Sequence, residues 1–140
     1  MSQSVRFPYL DLDPAQPEAS RLPYLPLTLS TGQSTSMVSG LLDTGTTVNV
    51  LPYPLGLQLG LIWTQQTTPI HLTGNLAQAP ARAVVLTAMI ASFPTVRLAF
   101  AWTQLTIVPL ILGQDNFFLE FDVCFFRAQS AFELQPKRKP

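Results

Sequence analysis

Asp43 is the residue in this chain with the strongest claim to chemistry. It stands in Gly40-Leu41-Leu42-Asp43-Thr44-Gly45-Thr46-Thr47 and is the one acidic side chain between Glu18 and Asp115. Apolar residues precede it, and Val48, Val50 and Leu51 follow soon after. A carboxylate in such company is destabilising by several kcal/mol unless it is paired, hydrogen-bonded or protonated. Two readings are open at this point. A turn aspartate can cap its own loop, as Asp-Thr-Gly does readily. Alternatively, the carboxylate is kept for proton transfer.

The other chemically capable side chains form no constellation. His71 is the only histidine and no Gly-x-Ser-x-Gly elbow exists, so a Ser-His-Asp hydrolase has little support. Cys124, between Val123 and Phe125, reads as a small core hydrophobe and not a nucleophile. One histidine and one cysteine leave a zinc site short of ligands. Asp115, Glu120 and Asp122 are explained by helix capping and solvated positions before calcium. No metal and no cofactor is expected.

The elements that must position Asp43 are strands. Tyr24 to Leu29 alternates, Thr31-Gly32-Gln33 can turn, and Ser36 to Leu42 can return as a second strand. Asp43-Thr44-Gly45 then falls in a loop before a short strand, Val48 to Leu51. Leu55, Leu57, Leu59 and Leu61 alternate, yet Leu55 and Leu59 also suit one face of a short helix, so that segment is ambiguous. Thr73-Gly74-Asn75 forms a candidate hairpin tip between Pro69 to Leu72 and Ala77 onward. Val84 to Ala91 reads as a buried strand. Val96, Leu98, Phe100 and Trp102 share one face of the next, with a period of two. Leu105 to Leu112 is a further apolar strand, interrupted by Pro109. Asp115 can N-cap a short helix through Phe121, and Val123 to Phe126 can pair with Ala131 to Leu134. Many short strands with turn signals indicate an all-β barrel or sandwich.

At 140 residues the chain fits one domain, long enough to bury roughly two-thirds of its unfolded surface. Hydrophobic residues make up 47% and charged residues 11%, which describes a core-former and not a disordered segment. So little charge leaves apolar surface to hide, which points towards an oligomer. The formal net charge is zero, so nothing favours a nucleic-acid partner. The longest apolar stretches, Ala83 to Phe93 and Leu105 to Leu112, are too short for a membrane-spanning helix. A single cysteine and no visible signal peptide make a cytoplasmic protein the expectation. Residues 1–22, with Pro8, Pro14 and Pro17, read as an extended arm that can dock on the domain. Residues 23–136 form the domain, and 137–140 a basic tail.

Context lifts Asp43 above the bland reading. Leu41-Leu42-Asp43-Thr44-Gly45-Thr46 is answered downstream by Ile111-Leu112-Gly113. The pair resembles the signature of the retropepsin-like aspartic proteases, the single-domain relatives of pepsin. Asp115-Asn116-Phe117-Phe118 is similar to the short helix that follows in that family. The likeness runs from about Leu22 to Leu134. It implies a closed β-barrel or sandwich with one short helix after the Ile-Leu-Gly strand, acting as a homodimer. It also implies an aspartic endopeptidase, in which two carboxylates share a proton around a water and act as base and acid. One motif per chain means one Asp43 from each of two copies.

The resemblance assigns roles to the neighbours. Thr44 would hydrogen-bond across the dimer axis, and Gly45 would bring its N–H to the carboxylate. Gly113 would let its strand pass close behind the active loop. Thr73-Gly74-Asn75 sits where the family has its flap, which closes over an extended peptide substrate. Phe125, Phe126 and Phe132 would suit the dimer interface. The chain also departs from the retroviral pattern. Thr46 stands where Ala or Ser is common, and the uncharged Thr47 and Gln114 stand where an acidic residue and an arginine often pair. Glycine is sparse around the flap. Those departures motivate a rival reading, a catalytically weak or inactive peptide-binding or assembly module on the same fold.

Overall fold

The computed structural model describes residues 3–12 and 21–138, with the side chain of Asn75 outside the described part. Among these residues, ten strands and two short helices follow in order: β1 (Val5–Pro8), β2 (Tyr24–Ser30), β3 (Thr35–Leu42), β4 (Asn49–Leu51), α1 (Tyr53–Gln58), β5 (Pro69–Ile70), β6 (Ala81–Met89), β7 (Val96–Thr103), β8 (Ile111–Leu112), α2 (Phe117–Glu120), β9 (Phe121–Phe126) and β10 (Ala131–Pro136). The ambiguous leucine segment is resolved as helix α1, with Pro54 in its first turn, where a missing N–H is harmless. Its Gly56 lies so close to the Trp102 indole that no side chain fits there.

Seven strands form one sheet in the order β2-β3-β8-β4-β7-β6-β5, and β2 also pairs with β6, which curls the sheet towards closure. Leu25, Leu29, Leu51, Leu86, Leu98, Phe100, Trp102 and Leu112 fill its interior. The β2 and β7 residues among them alternate along their strands as the period of two requires. The Trp102 ring stacks on Tyr53 and meets Trp63 edge-on, and its indole N–H donates to the Tyr53 carbonyl at 3.3 Å.

A second sheet, β1-β10-β9, closes the base of the domain. Residues 5–8 of the extended arm pair antiparallel with β10, from Val5↔Leu134 to Pro8↔Ala131. Phe7 stacks on the buried Phe132 with ring centroids 5.3 Å apart. Phe132 is therefore a core residue of its own chain and not an interface residue, while Phe125 remains 39% exposed. Cys124 is likewise exposed, because the alternation of β9 turns it away from the core, against the expectation of a buried thiol.

Three boundaries differ from those expected. Only Ile111–Leu112 of the apolar run from Leu105 is strand; Pro109 cannot donate to a ladder, and Ile107 stands 96% exposed. The residue at the N-cap of α2 is Asn116 and not Asp115, whose backbone instead bridges to Val48. Strand β6 begins at Ala81 and not near Ala77, because residues 74–79 fold into successive tight turns ahead of Pro80. Of the basic tail, residues 139 and 140 lie outside the described residues. Among the described residues no helix is long and apolar enough to cross a membrane.

Candidate active site

Asp43 begins the loop between β3 and β4, and each of its carboxylate oxygens is used. Oδ1 accepts the Gly45 N–H at 2.9 Å, and Oδ2 accepts the Thr46 hydroxyl at 2.8 Å. The loop therefore does cap itself, as a turn aspartate would. Yet Asp43 also sits half-buried at a junction of three strands, which a simple turn does not need. A Cβ on Gly45 would sit 3.3 Å from Oδ1, so a side chain there would press on the carboxylate.

The distant motif meets this loop directly. Strand β8 slots between β3, with which it is parallel (Leu41↔Ile111, Leu42↔Leu112), and β4, with which it is antiparallel (Val50↔Ile111). The Asp43 N–H donates to the Leu112 carbonyl at 3.0 Å. Beyond β8 the chain laces to the loop residue by residue: the Gln114 N–H donates to Thr46 O at 2.9 Å and the Asp115 N–H to Thr47 O at 2.6 Å. Gly113 lies in this crossing. A Cβ there would fall 2.5 Å from the Val48 carbonyl oxygen and 2.7 Å from that of Thr46, so only glycine fits. Asp43, Thr44, Gly45, Thr46, Ile111, Leu112 and Gly113 thus gather in one place.

Two contributors escaped the sequence reading. The Gln114 side-chain amide donates to the Thr44 carbonyl at 2.7 Å. Asn49, fully buried in β4, accepts the Gly113 N–H on Oδ1 at 2.8 Å. A signal for Asn49 did exist: an amide inside Val48-Asn49-Val50-Leu51 interrupts an otherwise apolar strand, and a buried polar side chain demands partners.

Thr73, Gly74 and Asn75 lie between β5 and β6, whose register is Pro69↔Arg82 and Ile70↔Ala81. Gly74 has φ +66° and opens a single 3-10 turn, Gly74–Leu76, so the tip is more compact than a two-strand ribbon. Leu72 behind it is buried with Val50, Ala81, Ala101 and Ile111, and Ile70, Leu76 and Val108 pack on that cluster. This small apolar cluster joins residues 70–76 to β4, which follows the Asp43 loop, and to β8, which is laced to it. A separate groove of about 790 Å³ lies elsewhere, lined by Pro26, Met37, Pro54, Leu55 and Leu110 among others, and none of its lining residues belongs to the Asp43 loop.

The geometry can be compared with that of known proteins. At 13% sequence identity, the chain is similar to a retropepsin-like aspartic protease from Rickettsia conorii, with TM-score 0.66 over 97% of this chain and 94% of that one. The fold is retropepsin-like. An inhibitor complex of EIAV protease is similar at 17% identity and TM-score 0.50, covering 71% of this chain and 88% of that one. No family model matches the sequence, and no curated protein does.

Proposed function

We propose that this retropepsin-like chain is an aspartic endopeptidase whose site is completed by a second copy. The observation that carries the reading is Asp43 itself, a half-buried carboxylate whose loop is hydrogen-bonded at Asp43, Thr46 and Thr47 to the strand of the distant Gly113. Gly45 donates to one carboxylate oxygen and Thr46 to the other, which holds the group in one orientation, with no ion pair to it among the described residues. A second Asp43 across a two-fold axis would face the first. The two groups would share one proton, so that one activates water and the other protonates the departing amine. Thr44 and Gly45 are exposed, as residues awaiting contact across such an axis would be. The region around Thr73, Gly74 and Asn75 would form the flap over an extended peptide, anchored from behind by Leu72 in its buried cluster with Val50 and Ile111.

The test is cleavage of a mixed peptide library from acidic to neutral pH, with wild type beside Asp43→Asn. Acid-favoured cleavage that disappears in the mutant and is blocked by a statine-type inhibitor supports the reading. Equal cleavage by the mutant overturns it.

One observation favours a second reading, a peptide-binding or assembly module. Strands β1, β10 and β9 pair within one chain, so β1 and β9 already occupy both sides of β10, where a strand of a second copy could otherwise add. A stable monomer by light scattering, without cleavage, would select the module.

A further inference from the structure

We infer that Asn49 is a positioning residue for Asp43, acting through the Gly113 N–H. The inference rests on the aspartic-protease reading for its catalytic readout alone; its structural readout stands without it.

Asn49 is 0% exposed and its amide is used at both ends. Oδ1 accepts the Gly113 N–H at 2.8 Å, and Nδ2 donates to the Ala99 carbonyl at 2.9 Å and to Asn116 Oδ1 at 3.3 Å. Asn116 Oδ1 also accepts the Ala99 N–H at 3.0 Å, and its Nδ2 donates to the Arg97 carbonyl at 3.3 Å. Two amides thus clasp β4, β7 and the entry to α2 around the glycine behind the active loop.

The partners dictate the chemistry. The Gly113 N–H requires an acceptor, and the Ala99 carbonyl, 2.9 Å from Asn49 Nδ2, requires a donor. An amide supplies both, and so does a neutral carboxyl; leucine supplies neither, and a carboxylate lacks the donor. Gly113 cannot shift independently of the loop, because its Cα already lies against the carbonyls of Thr46 and Val48. Releasing the Gly113 N–H therefore loosens the Leu112 carbonyl one bond away, which holds the Asp43 N–H at 3.0 Å. Misplacement on that scale lowers turnover steeply while leaving distant substrate contacts intact.

The decisive experiment uses Asn49→Asp in the full chain, with amide hydrogen exchange and turnover followed against pH. Around the introduced carboxyl group would stand the Ala99 carbonyl and Asn116 Oδ1, with the Gly113 N–H the one donor to it, so the ionised form is disfavoured and the folded-state pKa is raised. The neutral acid restores the clasp at low pH, and the clasp is lost as pH rises through that raised pKa. Protection of the Gly113, Asp43 and Gly45 amides should match wild type at acidic pH and fall at least tenfold towards neutral pH. Over the same range kcat relative to wild type should fall on the order of tenfold with KM little changed. A loss of protection that does not depend on pH would overturn the inference, as would an unchanged kcat alongside it. If wild type cleaves nothing, exchange alone decides the matter. If the variant does not fold, wild type still decides: a Gly113 amide that exchanges as fast as an exposed loop amide overturns the proposal, and protection like that of β2 and β3 upholds it.

Discussion

The Gln114 side chain donates its amide hydrogen to the Thr44 carbonyl across 2.7 Å, tying the turn after β8 to the tip of the Asp43 loop. An uncharged group does this at the position where the retroviral pattern often carries an arginine. The brace runs within one chain and leaves the Thr44 hydroxyl free of it. Such a bond contributes about 0.5–1.5 kcal/mol at most, and exposure places it at the low end.

Gln114→Ala should therefore lower global stability by less than about 1 kcal/mol while speeding exchange at the Gly45 and Thr46 amides. Because neither partner is charged, the effect should not change when salt is added. Urea unfolding and amide exchange at low and high salt check both points. A salt-sensitive loss would mean that an ionic contact, and not this amide, braces the loop.

Gly113→Ala should be the most damaging glycine substitution near the site. Its Cβ would meet two backbone carbonyls, neither able to move alone, and overpacking of that kind costs about 3 kcal/mol. Gly40→Ala meets Leu112 Cδ1 at 2.8 Å and Cγ at 3.0 Å, side-chain atoms of a buried leucine that yield more readily than backbone, so about 1–2 kcal/mol is expected. Urea midpoints of the two variants should fall in that order, and the reverse order would refute the close-crossing argument.

A chain starting at Arg21 should be less stable than the full chain. It lacks β1, and with it the Phe7 ring stacked on Phe132 and the pairing from Val5 to Pro8. Uncovering Phe132 and Leu134 is expected to cost roughly 2–4 kcal/mol. Thermal melts of both lengths test this, and sedimentation of the same samples asks whether the loss extends to self-association. Equal melting temperatures would show that β1 adds nothing to the domain.

Leu72→Ala should act locally. Leu72 belongs to the small cluster with Val50 and Ile111, apart from the main core, so its loss should loosen residues 71–80 first. Exchange in that segment should rise while β2 and β3 keep their protection. The cost in global stability should stay below the ~2–5 kcal/mol of a core leucine. Uniformly faster exchange would mean that the segment is part of the main folding unit.

Much of the architecture follows from local pattern. The alternation from Tyr24 to Leu29 and from Val96 to Trp102 marks strands, since side chains on a strand alternate between faces whatever the partner, although β7 is buried on both faces from Phe100 onward. The pairing of Asp43-Thr44-Gly45 with Ile111-Leu112-Gly113 is readable only through the resemblance to the retropepsin-like signature, since nothing local to Gly113 announces the close crossing that the structure shows there. Boundaries were less legible. The Leu105–Leu112 run looks like strand throughout, yet a ladder needs partners, and only Ile111 and Leu112 find them between β3 and β4.

By itself, then, the amino-acid sequence determined the strand-rich class and singled out Asp43 as the candidate for chemistry, and through its resemblance to a known family it pointed to Gly113. Only the tertiary structure decided that Asn49 and Asn116 clasp that glycine, that Gln114 braces Thr44, and that Phe132 is covered by Phe7 of the same chain. The division has a physical cause. Periodicity and backbone freedom are properties of neighbours in the chain. A side-chain amide instead takes its meaning from partners 50, 64 or 70 positions away, and no local pattern states which of them will arrive.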